Sequence, residues 1–256
     1  MIFDTHAHYD DRSFDEDREE ILLSLINKNV EKAVNVGADL EGSKSSVELA
    51  KAYSFIYAAV GVHPSECLDL TENDIDILRR LSDNPKVVAI GEIGLDYHEE
   101  EVPRDIQKKW FVRQLELAES VGKPVIIHSR DACLDTLDIM KRHAKGISGV
   151  IHCFSYTTET AKEYIDMGFY IGVGGVVTFK NSEKLKNVVR FVPIERILLE
   201  TDSPYLSPVP YRGKRNDSGN LCYVAEEIAA LKGMSVSEVI RITTENAYKF
   251  YGLEGN

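Results

Sequence analysis

Eight short apolar runs alternate along the 256-residue chain with longer stretches, most of which have the spacing of amphipathic helices. The clearest helical stretches are residues 104–121 and 157–167. The runs are rich in Val, Ile and Ala and do not alternate with polar residues, which is typical of parallel strands buried on both faces. They begin at Ile2, Ala33, Ala58, Val87, Val125, Gly149, Tyr170 and Ile197.

Nearly every gap between these runs is long enough for a helical crossover between parallel strands. Eight strands that alternate with helices within about 250 residues fit a closed (β/α)8 TIM barrel, whose active sites lie at the carboxyl ends of its strands. The sequence therefore predicts an α/β protein with one barrel domain over residues 1–256.

Side chains that bind metals follow the ends of five of the predicted strands. One such residue would mean little, because acidic residues are common near strand ends and a lone histidine such as His63 is more often structural. Taken together, they predict a metal site on the carboxyl face of the barrel. The six residues are His6, His8, Glu92, His128, His152 and Asp202.

The predicted ligands are imidazole nitrogens and carboxylate oxygens without a thiolate. This set favours Zn, Mn, Fe, Co or Ni, and it admits Mg if carboxylates and water dominate. Four histidines and two carboxylates are more than one tetrahedral ion accepts. They suit two ions bridged by a carboxylate and a water, as in binuclear hydrolases.

Several segments along the chain resemble the TatD family of metal-dependent deoxyribonucleases, a branch of the amidohydrolase-like barrels. The resemblance runs in order from residue 2 to the C-terminus. The segments that carry it are DTHAH (4–8), GEIGLDY (91–97), HSRD (128–131), HCFS (152–155), ETDSP (200–204), RGKRN (212–216) and TTENA (243–247).

The resemblance implies a role for each predicted ligand. His6 and His8 would hold one metal with Asp202, Glu92 would bridge two metals, and the second metal would be held by the remaining pair, His128 and His152. Asp202 would also orient the nucleophile or accept its proton. One departure from the family pattern is visible at Ser218, where the family usually has a proline after an acidic residue.

Two divalent ions, Mg²⁺ or Mn²⁺ for activity with Zn²⁺ as a further possibility, would supply a bridging hydroxide at neutral pH to attack phosphorus or a carbonyl. His63 is expected either to donate a hydrogen bond to a substrate oxygen or to support the structure. Tyr205 and Tyr211 could stack on bases or pack against the rim of the barrel. Guanidinium groups match phosphate oxygens. The predicted phosphate contacts are Arg130, Arg212, Lys214 and Arg215.

The overall charge limits the kind of nucleic acid that the chain could bind. It carries 30 Lys and Arg against 42 Asp and Glu, a formal charge of −12, which would repel a long polyanion. Short oligonucleotides or DNA ends therefore remain as substrates, and a 3′–5′ exonuclease that favours single-stranded ends is the leading hypothesis.

Two other functions stay open. The same hydroxide could attack an amide or ester, as in a D-aminoacyl-tRNA deacylase, because one barrel supports many chemistries. A binding protein that has lost catalysis is disfavoured, since all six ligand positions are filled.

The sequence also gives an expectation for the cellular compartment and the oligomeric state. The sequence lacks a recognisable signal peptide or membrane span. Its four cysteines lack paired spacing, which favours reduced thiols in the cytoplasm. A monomer or weak homo-oligomer is expected.

Overall fold

The computed structural model describes residues 1–98 and 101–254. Its strands are β1 Ile2–Ala7, β2 Val30–Val36, β3 Ile56–Val60, β4 Val87–Asp96, β5 Val125–Arg130, β6 Gly149–Ile151, β7 Tyr170–Val173 and β8 Ile197–Leu199. Its α-helices are α1 Arg18–Ser24, α2 Leu40–Ala52, α3 Glu72–Ser82, α4 Arg104–Val121, α5 Cys133–His143, α6 Thr158–Asp166, α7 Glu183–Phe191, α8 Leu221–Lys232 and α9 Val236–Tyr251.

The eight strands form one sheet in the order β1-β2-β3-β4-β5-β6-β7-β8. The first and last strands are also neighbours, because the Thr5 hydroxyl donates to the Leu199 carbonyl at 2.9 Å and Ala7 bridges to Ser203 in parallel. With helices between successive strands, this arrangement confirms the predicted (β/α)8 barrel.

Contacts along the chain group into two compact units. The first is Met1–Val34, Cys153–Asp166 and Tyr170–Asn256, which contains β1, β7 and β8. The second is Asn35–His152 with Met167–Phe169, which contains β3 to β6. A single domain over residues 1–256 stays a prediction.

The strands are buried as their apolar composition predicts. All six positions of β1 and all ten of β4 are buried, although both strands include acidic residues. The two clearest helical stretches are also confirmed, since α4 is Arg104–Val121 and α6 is Thr158–Asp166. Gly122 ends α4 in the left-handed region, at φ 66°, where a residue with a side chain would be strained.

Strands β4 and β5 extend beyond the apolar runs that predict them. The runs end before Glu92 and His128, but β4 continues to Asp96 and β5 to Arg130, with Gly94 paired to His128. A Cβ at Gly94 would lie 1.9 Å from the His128 carbonyl oxygen, so only glycine permits this pairing. Arg130, a predicted phosphate contact, consequently ends a strand.

Within residues 1–98 and 101–254, no helix combines the length and the apolar composition needed to cross a membrane.

Candidate metal centre

The first candidate ligand cluster, which we call the His6 cluster, consists of His6, His8 and Asp202 and lies within the first unit. The two Nε2 atoms are 3.0 Å apart, and Asp202 Oδ1 is 3.8 Å from His6 Nε2 and 3.4 Å from His8 Nε2. Asp202 has a φ of 59°, and its N–H donates to the His6 carbonyl at 2.9 Å. This backbone bond aligns Asp202, three residues after β8, with the end of β1, so that three ligand atoms converge.

The buried carboxylate of Asp4 orients the backbone of the His6 cluster. Asp4 accepts hydrogen bonds from the His6 N–H at 3.2 Å, the Thr201 N–H at 3.0 Å and the Thr201 hydroxyl at 2.6 Å. It also accepts one from the Ser218 hydroxyl at 2.6 Å. Burial raises the pKa of Asp4 to about 6, against these hydrogen bonds, which lower it. Asp4 thus joins both strands that supply the His6 cluster.

Ser218, which stands where the family pattern has proline, is buried and makes contacts that proline cannot make. Its N–H donates to the Tyr9 hydroxyl oxygen at 2.9 Å, and its hydroxyl donates to Asp4. Proline has neither group. The departure from the family pattern therefore adds two hydrogen bonds, which connect the segment after the basic residues to Tyr9 and to Asp4.

The second candidate ligand cluster, the Glu92 cluster, lies within the second unit and consists of Glu92, His63, His128 and His152. Glu92 Oε1 is 2.7 Å from His128 Nδ1 and 3.9 Å from the Nε2 atoms of His63 and His152. Glu92 is 4 % exposed and His152 is also 4 % exposed. One buried carboxylate oxygen therefore faces three imidazoles, and Glu92, His63 and His128 offer ligand atoms close enough to share an ion.

Asp96 holds the other side of the His128 ring. Its Oδ2 is 2.8 Å from His128 Nε2, and residues 92 and 96 share a face of β4 with Gly94 between them. Burial lowers the pKa of His128, but the hydrogen bonds with Asp96 and Glu92 outweigh this and raise the pKa to about 9. A metal that binds this imidazole must therefore displace a proton.

Asp96 and Asp4 are site residues that the apolar pattern does not single out. Each is an acidic residue inside a fully buried strand. Buried charges are found in proteins where they are paired or bind metals. An aspartate within a buried strand is the signal that would have identified both.

Replacing Asp96 with Asn should weaken metal binding by about 10- to 100-fold, the usual effect of removing the carboxylate partner of a ligating histidine. Calorimetric titration of chelator-treated protein with Mn²⁺ would measure the change. Asp131→Asn is the matched control, because that exposed carboxylate contacts only His98 among the described side chains. Equal Mn²⁺ affinity in Asp96→Asn and the native protein would contradict the role of Asp96.

The hydrogen bonds of His63 define which of its ring nitrogens carries the proton. The Ser65 N–H donates to His63 Nδ1 at 3.2 Å, and a backbone N–H can only donate. In the neutral ring the proton therefore lies on Nε2, the atom that faces Glu92. In this form His63 offers a hydrogen-bond donor at Nε2, whereas the other tautomer would offer Nε2 as a ligand atom.

The predicted phosphate contacts differ in their surroundings. Arg130 is exposed at the end of β5. Arg212 lies over the Phe179 ring at 4.4 Å, and Lys214 lies 5.7 Å from the Tyr211 ring centre. Within residues 1–98 and 101–254, Arg212 and Lys214 form no ion pair.

Arg215 is held by the protein itself. Its guanidinium forms an ion pair with Asp17 at 2.5 Å, donates to the Ser13 carbonyl and lies 4.8 Å from the Phe14 ring centre. Much of its charge is already balanced by Asp17, so Arg215 anchors the basic segment and is less suited than Arg212 or Lys214 to bind phosphate.

The two clusters fit divalent metal ions by the chemistry of their donors. Each combines imidazole nitrogens with at least one carboxylate oxygen, a set that suits Mn, Zn, Fe, Co and Ni. Buried carboxylates and imidazoles at such short distances are also costly without a cation to share them.

Comparison with known proteins assigns a family. The model of the TatD related DNase family matches residues 3–252. YabD of Bacillus subtilis, described as an uncharacterized metal-dependent hydrolase, is 47 % identical over 98 % of this chain and 99 % of its own length. YcfH of Escherichia coli K12, described in the same words, is 37 % identical over 100 % of this chain and 97 % of its own.

A solved structure supports the same assignment. The crystal structure of YJJV, a TatD homologue from Escherichia coli K12, superposes with a TM-score of 0.92 at 29 % identity, and covers 99 % of this chain and 98 % of its own. Because the family model and these relatives span nearly the whole chain, this protein belongs to the TatD family of metal-dependent hydrolases.

Proposed function

We propose that this hydrolase cleaves phosphodiester bonds of DNA, removing nucleotides from single-stranded ends in the 3′–5′ direction. The observation that carries the proposal is the presence of two histidine and carboxylate clusters at strand ends together with a basic segment, residues 212–215, that begins ten residues after Asp202. The carboxyl ends of all strands in a (β/α)8 barrel lie on one face.

The residues that would hold two divalent ions, Mg²⁺ or Mn²⁺, follow from the two clusters. His6, His8 and Asp202 would hold one ion, and Glu92 would bridge to the second, held with His128 and His152. When bound, such ions lower the pKa of water and neutralise charge that develops on an attacked phosphate. Zn²⁺ is compatible with the same donors.

The remaining steps belong to side chains of the protein. The Asp202 carboxylate would orient the attacking water or accept its proton, while His63 would donate its Nε2 proton in a hydrogen bond to a phosphate oxygen. Arg130, Arg212 and Lys214 would contact phosphates, and Arg215 would fix the segment that carries two of them.

The charge of the molecule supports short or terminal substrates. A formal charge of −12 opposes binding along a duplex, whereas a strand end needs only a few phosphate contacts. The proposal includes a cytoplasmic protein that acts as a monomer or weak homo-oligomer.

Chelator-treated protein, supplied with Mg²⁺ or Mn²⁺, should shorten an end-labelled single-stranded DNA stepwise from its 3′ end. Asp202→Asn is the control, because it removes one negative ligand and keeps the size of the side chain. Activity should require the added metal and fall by about 10²- to 10³-fold in the variant. Absence of cleavage with every metal, or cleavage at the native rate in Asp202→Asn, would overturn the proposal.

The two clusters also support one second candidate, since ions held there would supply hydroxide for attack on a carbonyl as well as on phosphorus. The same centre would then hydrolyse an amide or ester, such as a D-aminoacyl-tRNA. Metal-dependent release of the amino acid without DNA cleavage would select this alternative.

A further inference from the structure

A groove beside the His6 cluster combines aromatic walls with two cations. It encloses about 540 Å³, within the usual range for sites that bind small molecules. All of its lining residues belong to the first unit. Phe179, Tyr205, Arg212 and Lys214 carry the argument, and together they define the Tyr205 groove.

We propose that the Tyr205 groove binds one nucleotide of the substrate strand, with its base against the Tyr205 ring and its phosphate at Arg212 and Lys214. This inference rests on the proposed function and adds a nucleobase subsite to it.

Tyr205 presents a fixed aromatic surface. Its side chain is 53 % exposed, yet its hydroxyl donates to Asp11 Oδ2 at 2.9 Å. Its N–H donates to the Asp202 carbonyl at 2.8 Å, which fixes the backbone three residues from a proposed metal ligand. A ring that is already held in place loses little conformational entropy when a base stacks on it.

The two cations of the groove are arranged for an anion. Arg212 is held over the Phe179 ring at 4.4 Å, which leaves the edge of its planar guanidinium able to bind two phosphate oxygens. Gly213, at φ 83°, turns the chain between Arg212 and Lys214, where a residue with a side chain would be strained.

The basic segment, residues 212–215, is held in position by groups other than the side chains of Arg212 and Lys214. Arg215 is tied to Asp17 and to the Ser13 carbonyl, and the Ser207 hydroxyl donates to the Lys214 carbonyl at 2.5 Å. The groove, which both cations and Tyr205 line, is therefore built in advance of ligand binding.

A stacking surface of this kind accepts any base but needs the base unpaired. Aromatic stacking is tolerant of sequence, because every base has a π-face. The Tyr205 groove therefore predicts little sequence preference and a preference for single-stranded ends.

The experiment compares two ligands that share a phosphate, dTMP and deoxyribose 5-phosphate, by calorimetry on the full-length protein loaded with Mn²⁺. Neither ligand contains a phosphodiester bond, so neither can be consumed by the proposed reaction. The native protein should bind dTMP about 5- to 100-fold more tightly, the range expected for stacking of one base.

Variants test whether the preference for dTMP over deoxyribose 5-phosphate comes from the Tyr205 groove. Tyr205→Ala should abolish the preference for dTMP while its affinity for deoxyribose 5-phosphate, a check on folding, stays unchanged. Tyr205→Phe keeps the ring and should retain the preference, and Val209→Ala, at an exposed apolar position outside the groove, should behave as the native protein. Replacing Arg212 and Lys214 by Ala should weaken both ligands equally.

Equal affinity of the native protein for both ligands, or a dTMP preference that survives in Tyr205→Ala, would overturn the proposed subsite. Either result can occur while DNA is still cleaved, and in that case the proposed function stands. A protein that cleaves no DNA but binds dTMP through Tyr205 would instead refute the function and keep the subsite.

Discussion

Replacing Glu92 with Gln should reduce phosphodiester hydrolysis by about 10²- to 10³-fold or more, the scale of losing one charged group that stabilises the reaction. Glu92 Oε1 faces three imidazoles and is buried. Gln keeps the size of the side chain but removes its negative charge, so divalent ions lose a ligand. The number of Mn²⁺ ions bound per chain should fall with activity.

Measurement of kcat/KM on a small phosphodiester, with metal content determined on the same samples, checks this prediction. Glu41→Gln is the control, because Glu41 is an exposed glutamate whose ion pair with Lys44 lies on the surface. A Glu92→Gln protein with native activity and native metal content would show that Glu92 does not bind the ions.

Replacing Asp202 with Asn should also reduce hydrolysis by about 10²- to 10³-fold, but it should lower the metal content by one ion only. Asp202 is the carboxylate of the His6 cluster, whereas Glu92 is the carboxylate that faces His128 and His152. Loss of the Asp202 charge should therefore leave the ligands of the Glu92 cluster intact.

Equilibrium dialysis of native and variant protein against Mn²⁺ distinguishes the two clusters. Asp138→Asn is a suitable control, since it removes an exposed acidic group whose ion pair with Arg142 lies within α5. If Asp202→Asn retained two ions per chain, or lost both, the assignment of Asp202 to a separate first ion would be wrong.

The barrel and the converging ligands could be predicted because each depends on local sequence. Apolar runs predict strands, and a ligand residue directly after a run is placed at the strand end whatever the rest of the chain does. This logic places His152 directly after β6, and it places His6 and Asp202 within three residues of the ends of β1 and β8.

Contacts between distant residues could not be predicted in the same way. Asp17 and Arg215 are separated by 198 residues, and nothing near either one indicates that they pair. The same holds for Asp4 with Ser218 and for Asp96 with His128. These partners are selected by tertiary packing, and they change the roles of residues whose positions the sequence does predict.

The lengths of β4 and β5 could not be predicted from the sequence either. The apolar pattern stops at Glu92 and His128, but the strands continue because β4 and β5 pair with each other beyond those residues. Backbone pairing between parallel strands does not require apolar side chains, and Gly94 supplies the space it needs. As a result, Asp96 lies beside His128 instead of in a loop.

Electron paramagnetic resonance of protein loaded with two equivalents of Mn²⁺ would show whether this chain holds two ions that share Glu92. Two ions bridged by Glu92 should give an exchange-coupled spectrum, which should collapse to the signal of isolated Mn²⁺ in Glu92→Gln. Two uncoupled ions in the native protein, or a single ion at saturation, would contradict a binuclear centre and the hydrolytic mechanism built on it.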